Sequence, residues 1–584
     1  MAEPTGSLTA LVEAALATAD PARLAVTEPA GTWTYGELDR ASAELAAALA
    51  RSADGEPGAD GEPAPDGETG ADGETGADGN GPATGGEPAV GGDGPAPVAV
   101  LLPRGAAALA AMLACIRAGR PFLPLPPDTS SAALPDLLGV RDLVTAGPPP
   151  PWWSGPATRV HRVRKEGPAP ARPATPATAG TTVAGRTAVR AAAGRTAVAG
   201  RTAVAGRTAA AGDTAAAGDG TGYFLATSGT TGAPKVVRGS AAALAHYLHW
   251  QREELALGPG DVLSNSADPW FDFSFKETLA AVVSGATVAV LTDRELLAGA
   301  HLLSWAAEHR PTVMCLLPSR LAALLGAAEQ APARLPDTAF GRLRLLLVSG
   351  EVFPTPLLAR WRALCPHATV LNLYGPTEST VIKLRHTVPP GAAVDTPTVP
   401  VGTPIPGTEA LLDTEEPSEL TLVSDQLALG YAVGGKGSAT RFATLPNGRP
   451  LLHTGDLARR TPDGAIEIVG RGDHVVKRHG VKVSLPDLET QARTCPPVAS
   501  AVALLLPGER ERIVLCCTPR GATTDPAALR RLLREHLLGR VPAAAMPDAV
   551  RVLPDLPLDP RGKVDRRALA ALFTPRPEPA AAHG

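Results

Sequence analysis

The sequence is short of the features that mark membrane and nucleic-acid-binding proteins. No apolar run approaches the roughly 20 residues that a membrane-spanning helix needs. The 54 basic and 59 acidic side chains nearly cancel, so no electrostatic attraction to nucleic acid is predicted. The first twenty residues lack the basic start of a secretory signal. We therefore expect neither a membrane nor a nucleic acid as partner, although 584 residues leave room for several domains.

Cysteines are few, and their spacing matches no zinc site. The six occur at positions 115, 315, 365, 495, 516 and 517. Only Cys516 and Cys517 are close together, and neighbours in sequence are poor disulfide partners. We therefore predict reduced thiols and a cytoplasmic location.

Aromatic residues are also scarce, whereas glycine (61) and proline (60) are abundant. Much of this excess lies in two segments of opposite charge, both with six-residue repeats. Residues 52–97 carry 11 acids and no Lys or Arg, whereas residues 159–219 carry 10 basic residues and 3 acids. Neither segment has the aromatic or branched side chains that would offset the entropy of ordering. We predict two disordered insertions, produced by repeat slippage in the gene; the alternative is that the charged loops touch each other or a partner.

Outside these segments, strand and helix patterns alternate as in ordinary α/β proteins. The predicted strands are 98–102, 121–125, 287–291, 312–317, 343–348, 369–373, 499–506 and 513–517, and the predicted helices are 40–51, 106–118, 300–308 and 526–538. Alternation at this spacing predicts parallel sheets covered by helices. After about Gly470 the pattern indicates a smaller unit that begins with strands.

The strongest local motif is a glycine- and hydroxyl-rich loop after an apolar strand. It comprises Thr227, Ser228, Gly229, Thr230, Thr231 and Gly232, and ends at Lys235. Glycines let backbone N–H groups converge on an anion, the hydroxyls add donors, and the lysine adds a point charge. This predicts a phosphate site, although the spacing is not that of a Walker loop.

Five ordered strings make this chain resemble the adenylate-forming superfamily, which includes acyl-CoA synthetases, luciferases and the adenylation domains of nonribosomal peptide synthetases. They are YFLATSGTTGAPK from Tyr223, NLYGPTE from Asn372, HTGDL from His453, GRGD with VKRHG from Gly470, and PRGKVDRR from Pro560. The resemblance implies a large domain of sheets covered by helices (residues 1–472) and a small mobile α+β domain (residues 473–584). It also implies ATP and Mg²⁺ as cofactors.

The resemblance implies a two-step reaction in which a carboxylate attacks the α-phosphate of ATP and a thiol then displaces AMP. Residues 227–235 are then expected to hold the β- and γ-phosphates. The expected nucleotide contacts are Asn372 at the adenine edge, Tyr374 against the adenine ring, Gly375 beside them, Thr377 at the α-phosphate, Glu378 on Mg²⁺, Asp456 on the ribose hydroxyls, and Arg471 near ribose and phosphate. Positive charge must neutralise the repulsion between the attacking carboxylate and the triphosphate.

Three residues of the smaller domain are assigned by the same resemblance. Lys563 is expected to bridge the substrate carboxylate and the nucleotide, although most lysines in polar tails are solvated surface charges. Asp473 matches the hinge about which the domain rotates, or is only a turn residue. Gly480 lies on the loop that passes close to a pantetheine arm, where the missing Cβ leaves room.

The same motifs favour an amino acid as substrate. Asp272, in the string WFDFS from Trp270, matches the carboxylate that binds the α-amino group, and the alternative is a helix N-cap. The resemblance also implies a pocket for the side chain of the substrate. Mapped residue by residue onto this sequence, the pocket comprises Asp272, Phe273, Lys276, Cys315, Leu347, Ser349, Leu373, Val381, Ile382 and Lys563. Because a buried lysine needs a counter-charge, Lys276 favours a substrate amino acid whose side chain is acidic or forms strong hydrogen bonds. The alternative is that Lys276 points outward or pairs with Glu277 or Glu351.

The resemblance has departures, and it leaves other functions open. Ala241 stands near the position where the family usually has a histidine, His453 replaces an arginine, and Ser418 replaces a glycine. Because the sequence ends about twenty residues after Lys563, we expect a free-standing enzyme that loads a separate carrier protein through its phosphopantetheine thiol, in nonribosomal peptide or related biosynthesis. The alternatives are an acyl-CoA or aryl-acid ligase and a catalytically inactive scaffold.

Overall fold

A computed structural model provides the architecture. It describes residues 6–53, 95–126, 132–153, 159–165, 220–227, 235–330, 332, 339–413, 417–433, 441–471, 475–478, 481–506, 512–521, 525–538, 540–541, 545–559 and 563–573. Most of the two low-complexity segments lies outside these ranges, as do residues 472–474 with the expected hinge at Asp473. In the described part of the chain, no helix combines the length and apolar character needed to cross a bilayer.

Helices and strands alternate through the first two thirds of the chain. The helices are α1 (Leu8–Thr18), α2 (Tyr35–Ala53), α3 (Ala106–Arg117), α4 (Leu134–Leu137), α5 (Ala241–Glu254), α6 (Phe273–Glu277), α7 (Leu279–Val283), α8 (Asp293–Leu297), α9 (Gly299–His309), α10 (Pro318–Gln330), α11 (Thr355–Leu364), α12 (Leu485–Arg493), α13 (Pro526–Leu537) and α14 (Arg566–Ala571).

The strands are β1 (Leu24–Glu28), β2 (Gly31–Thr34), β3 (Val98–Leu101), β4 (Phe122–Pro124), β5 (Asp142–Thr145), β6 (Arg159–His161), β7 (Thr221–Thr227), β8 (Lys235–Ser240), β9 (Val262–Asn265), β10 (Thr287–Val290), β11 (Val313–Leu316), β12 (Leu345–Ser349), β13 (Thr369–Tyr374), β14 (Leu384–Val388), β15 (Thr403–Pro404), β16 (Thr408–Leu411), β17 (Ser418–Ser424), β18 (Gly430–Val433), β19 (Phe442–Thr444), β20 (Pro450–Arg460), β21 (Ile466–Arg471), β22 (Val475–Arg478), β23 (Val481–Ser484), β24 (Val498–Leu506), β25 (Arg512–Pro519) and β26 (Ala549–Val552).

Two large, mostly parallel sheets form the body of the protein. Within the described residues, one has nine strands in the order β15-β14-β13-β12-β11-β9-β10-β1-β2, and the other has seven in the order β18-β8-β7-β4-β3-β5-β6. In the nine-stranded sheet, the neighbouring strands β13, β12, β11, β9, β10 and β1 are all parallel. The carboxyl ends of β9, β11, β12 and β13 therefore meet at one edge of this sheet. The predicted α/β class, with sheets covered by helices, is confirmed.

The apolar core lies on both faces of these sheets. One buried cluster joins residues of both sheets to α1, α2, α3, α5 and α7. A second cluster packs α9, α10 and α11 on the opposite face of the nine-stranded sheet. Capping residues fix where some helices begin. At the start of α5, for example, the Ser240 hydroxyl accepts a hydrogen bond from the Ala243 N–H (3.2 Å). All six cysteines are buried and unpaired, as their spacing predicted.

The last part of the chain forms a smaller α+β unit, which we call the lid. Strands β24, β25 and β26 form its sheet, and α12, α13 and α14 pack with them. Asp525 caps α13 by accepting from the N–H groups of Ala527 (3.0 Å) and Ala528 (3.1 Å), and Pro526 fills the first helical position. The strands predicted at 499–506 and 513–517 and the helix predicted at 526–538 are present, as β24, β25 and α13. The division into two domains at residue 473 stays a prediction.

Two predicted boundaries of the disordered segments are wrong. The first segment was predicted to begin at residue 52, but helix α2 continues to Ala53, and the Ser52 hydroxyl donates to Asp142 (3.0 Å). Arg159–His161, assigned to the start of the second disordered segment, forms strand β6 and pairs in parallel with β5. The buried carboxylate of Asp142 binds Arg159 Nε (3.1 Å) and His161 Nε2 (2.9 Å). This carboxylate holds a short polar strand that has little apolar content of its own.

Lys383, just before β14, is buried without a hydrogen-bond partner for its Nζ among the described residues. Burial lowers the pKa of Lys383 to about 7. Between that value and the usual 10.5, the unfolded chain holds a proton that the folded chain lacks, so the free energy of unfolding rises with pH. We expect the part due to Lys383 to rise by about 1.5 kcal/mol from about pH 7 to about pH 8.5.

Urea unfolding of the wild type and of Lys383→Met at both pH values measures this contribution. The variant should be the more stable protein near pH 7, and the stability difference between the two should shrink as the pH rises. Equal pH dependence in both proteins would show that Lys383 is charged in the fold. The buried cysteines have raised pKa values, so they lower the free energy of unfolding as the pH rises. This decrease begins only near about pH 9, where thiols of the unfolded chain ionise, so it does not mask the increase due to Lys383.

Candidate active site

A cavity of about 890 Å³ opens where the carboxyl ends of β9, β11, β12 and β13 meet. Ligands of open parallel sheets bind at such edges. The lid closes one side of the cavity through Pro486, Glu489, Lys563 and Arg566. The cavity thus lies between the edge of the nine-stranded sheet and the lid.

Thr227 and Lys235, the two ends of the expected phosphate loop, line this cavity. They are paired residues of the antiparallel strands β7 and β8, and the Thr227 hydroxyl donates to the Lys235 carbonyl (3.4 Å). The ammonium of Lys235 lies 5.9 Å from the ring centroid of Tyr431. Ser228, Gly229, Thr230, Thr231 and Gly232 lie outside the described residues.

The expected nucleotide residues lie together at the end of β13. The side-chain amide of Asn372 donates to the carbonyls of Val399 (2.8 Å) and Pro400 (3.0 Å), which leaves its carbonyl oxygen as an acceptor. The Tyr374 hydroxyl donates to Asp456, and the cavity wall includes both residues. This bond fixes the orientation of a carboxylate that was expected to bind the ribose.

The backbone of this region leaves no room for a side chain at Gly375. A Cβ there would lie 2.3 Å from the Val381 carbonyl oxygen, because the chain turns back on itself through the 3-10 helix Thr377–Ser379. Arg471 is the strand partner of Asp456 in the β20–β21 pair, which places its backbone beside the nucleotide region.

Glu378 is ion-paired, which the sequence did not predict. Its Oε1 accepts from the Tyr431 hydroxyl and from Arg441 Nη1 (3.1 Å), and Arg441 Nη2 donates to the Thr454 carbonyl (2.7 Å). No described residue bonds to Oε2. Arg441 follows a glycine-rich stretch with no recognisable motif, so only the fold reveals its position.

The described residues hold no cluster of three metal-ligating side chains. A single carboxylate still suits Mg²⁺, which keeps several waters and binds substrate phosphates beside one or two carboxylates. Glu378 fits that requirement, because its hydrogen bonds with described residues use Oε1 and because it lines the cavity next to Thr377.

Asp272 and Lys276 lie on one face of α6, one turn apart. Asp272 is buried, forms no side-chain cap on α6, and its Oδ2 has no described partner. Asp272 stands at the N-cap position of α6, but its side chain makes no capping hydrogen bond, so helix capping does not account for this carboxylate. Burial raises the pKa of Asp272 to about 6, against the opposing effects of the Lys276 charge and a Thr377 hydrogen bond.

Lys276 is 2% exposed and points into the cavity, so the alternative that it reaches solvent is also wrong. Its ammonium donates to the Ser349 hydroxyl and lies 4.2 Å from the ring centroid of Phe273. It makes no ion pair with a described carboxylate. Glu277 is instead bound by the Asn265 side chain (2.9 Å), by Ser266 and by the Ala267 N–H (2.9 Å).

The rest of the predicted pocket is brought together only in part. Cys315, Ser349 and Leu373 line the cavity, whereas Leu347, Val381 and Ile382 are fully buried in the core and do not. On β12, Leu347 lies on the same face as Ser349 but two residues further from the carboxyl end, so the core covers it. The prediction that these three residues line the cavity is wrong, and they instead belong to the core that supports its wall.

Gly350 explains how Phe273 enters the site. It has φ +86°, and a Cβ there would lie 2.6 Å from the Phe273 ring. The absence of a side chain lets the ring pack over the end of β12, against Lys276.

Lys563 lines the cavity from the lid, beside the antiparallel bridge between Leu558 and Val564. Its N–H donates to the Asp559 carboxylate (2.9 Å), and its carbonyl accepts from the Asp559 N–H (2.6 Å). Arg566 ties this segment to the lid by donating to the Ala503 carbonyl (2.7 Å) and to Glu489. The alternative that Lys563 is a solvated tail residue is wrong, because it lines the cavity. Gly480 lies outside the described residues.

The outer part of the cavity carries charges that the sequence did not single out. Arg104 pairs with Asp268 (3.2 Å) and Asp293, and Arg320 lies nearby. Burial raises the pKa of Asp268 to about 6, and the Arg104 charge opposes that rise. Glu351 accepts from the Ser319 N–H (2.9 Å) and hydroxyl (3.1 Å). These residues come from separate loops and from helices α8 and α10, and they have no shared sequence pattern.

Residues 90–432 match the family described as AMP-binding enzyme. The L-proline–[L-prolyl-carrier protein] ligase of Streptomyces coelicolor is 34% identical over 364 residues, which is 60% of this chain and 66% of that protein. The isonitrile lipopeptide synthase of Streptomyces coeruleorubidus is 34% identical over 358 residues, 60% of this chain and 23% of that protein. The chain thus spans less than two thirds of the length of either relative.

The architecture also matches solved structures. The crystal structure of IdnL7 superposes with a TM-score of 0.66 at 24% identity, covering 97% of this chain and 98% of that one. At this identity the likeness establishes the fold alone.

Proposed function

This chain belongs to the AMP-binding enzyme family, and we propose that it activates an amino acid with ATP and loads it onto the phosphopantetheine thiol of a separate carrier protein. The carrier-protein ligase among its relatives supports a carrier as acceptor. Such loading belongs to nonribosomal peptide or related biosynthesis.

The observation that carries the proposal is the buried, unpartnered oxygen of Asp272 at the cavity wall. A buried carboxylate is costly unless a cation or donor compensates it. The ammonium of an amino acid supplies that compensation, whereas an aryl or acyl acid without an amine leaves Oδ2 unpaired. Thr377 lines the same cavity as this carboxylate.

In the first step, an oxygen of the substrate carboxylate attacks the α-phosphorus of ATP. A carboxyl–phosphate bond forms, the bond to the β-phosphate oxygen breaks, and pyrophosphate leaves with its electron pair. Lys563 holds the attacking carboxylate beside the phosphate and offsets the negative charge on both.

The nucleotide contacts of the proposal follow the cavity wall. Asn372 accepts from the adenine amino group, Tyr374 places its ring beside the base, Asp456 accepts from the ribose hydroxyls, and residues 227–235 hold the outer phosphates. Mg²⁺, when bound at Glu378, supplies positive charge that neutralises the phosphate oxygens.

In the second step, the carrier thiolate attacks the acyl carbon. A thioester forms, the acyl–phosphate bond breaks, and AMP leaves with the electron pair. We propose that the lid rotates about Asp473 between the steps, which withdraws Lys563 and brings the Gly480 loop to the thiol.

ATP–pyrophosphate exchange with Mg²⁺ over a panel of amino acids, aryl acids and short acyl acids tests the proposal. We expect exchange with an amino acid and at least about 100-fold less with the analogue in which hydrogen replaces the amine, because the loss leaves Asp272 unpaired. Exchange confined to acids without an amine would overturn the Asp272 assignment and favour an aryl-acid or acyl-CoA ligase. No exchange with any acid would favour a scaffold.

A further inference from the structure

Lys276 is a buried cation whose charge the described carboxylates leave without an ion pair. At 2% exposure it cannot reach water, and its described contacts are the Ser349 hydroxyl and the face of the Phe273 ring. A hydroxyl and a ring face stabilise an ammonium less than a carboxylate does. Its charge acts on the buried carboxyls of Asp272 and Glu277 without forming an ion pair with either, so a ligand carboxylate can still pair with the ammonium directly.

The neighbouring acids already have their own donors. Glu277 accepts four hydrogen bonds from residues 265–267, and Glu351 accepts two from Ser319. Asp272, the remaining carboxylate on α6, faces the substrate ammonium in the proposed function. If Asp272 pairs with that ammonium, Lys276 needs a second anion.

We propose that the substrate is an aminodicarboxylic acid, of the chain length of aspartate or glutamate, whose distal carboxylate is bound by Lys276 and Ser349. This inference rests on the proposed function. Ser349 can accept from the Lys276 ammonium and donate its own proton to the carboxylate, which satisfies both groups.

The spacing of the three charged side chains fits such a molecule. Positions i and i+4 of a helix place side chains about 6 Å apart, so Asp272 and Lys276 suit an ammonium and a carboxylate separated by a few bonds. Lys563 approaches from the lid and binds the carboxylate that reacts. Leu373 and the buried thiol of Cys315 also line the cavity and contribute apolar surface beside the Asp272–Lys276 pair.

The test compares acids with their neutral isosteres in ATP–pyrophosphate exchange. With the wild type, we expect aspartate or glutamate to exceed asparagine or glutamine by about 100-fold in kcat/KM, because the amide leaves the Lys276 charge unpaired. Lys276→Met should lose this preference and activate the acid about 100-fold less well. The matched control is Lys383→Met, which removes another buried lysine that does not line the cavity, and it should keep the wild-type preference.

The outcomes separate this inference from the proposed function. If the wild type prefers a neutral amino acid, or Lys276→Met keeps the acid preference, the aminodicarboxylate assignment fails and amino-acid activation stands. If exchange occurs only with acids that lack an amine, the proposed activation of an amino acid is itself contradicted, and the aminodicarboxylate assignment fails with it. The comparison of acid and amide substrates uses the wild-type protein alone. The inference can therefore be tested even if the Lys276→Met variant does not fold.

Discussion

Lys563→Ala is expected to lower ATP–pyrophosphate exchange by about three orders of magnitude or more, with the fold intact. The lid presents this side chain at the cavity, and its charge acts on the buried carboxyls of Asp272 and Glu351. No other lid lysine among the described residues lines the cavity. Arg566, another lid cation on the cavity wall, is already paired with Glu489, so removal of Lys563 leaves the repulsion between substrate carboxylate and triphosphate without its main compensation from the lid.

The role is specific to the first half-reaction, which gives a sharper readout than activity alone. Supplied with preformed aminoacyl-adenylate, Lys563→Ala should transfer the acyl group to a carrier thiol within about tenfold of the wild-type rate, since that step proceeds with Lys563 withdrawn. Arg530→Ala, which removes an exposed cation of α13 away from the cavity, is the matched control and should leave both steps unchanged. Equal loss in both half-reactions would point to damage of the lid and contradict the assignment.

The sequence predicted those parts of the fold that local pattern controls. The strands at 287–291, 312–317 and 369–373 were found within two residues of their predicted ends, because each is a short buried apolar run between polar turns. The lysine motif was also informative. Asp565 caps α14 by accepting from the N–H groups of Arg567 (3.0 Å) and Ala568 (2.9 Å), so the string carries a local structure as well as a charge.

Partners supplied by distant loops could not be predicted. Arg441 reaches Glu378 across 63 positions and Arg104 reaches Asp293 across 189, and no periodicity links such pairs. The assignment of Leu347 failed for a related reason. Position in a motif gives the face of a strand but not the depth at which the core covers it, so only Ser349, at the carboxyl end of β12, reaches the cavity.

The second large effect is expected at Asp272. Asp272→Asn keeps the shape of the side chain and removes its charge, so the substrate ammonium would lie against a neutral amide in a buried site. We expect kcat/KM for the amino acid to fall by about 100- to 1,000-fold, the range measured when one partner of a buried charge pair is removed. Binding of ATP alone, measured by calorimetry, should change little, because the nucleotide contacts lie on β13, β20 and the phosphate loop.

The pH profile separates recognition by charge from a structural role of Asp272. Because burial raises its pKa to about 6, against the opposing charges of Lys276 and Lys563, the free enzyme loses the carboxylate below about pH 6. Amino-acid kcat/KM should therefore fall about tenfold per pH unit below that value. Asp272→Asn has no such proton to bind and should lack this acid limb. Asp268→Asn removes the other cavity aspartate with a pKa near 6 and should retain the limb, since Asp268 pairs with Arg104 away from the amine. An acid limb that persists in Asp272→Asn and disappears in Asp268→Asn would move amine recognition to the outer part of the cavity.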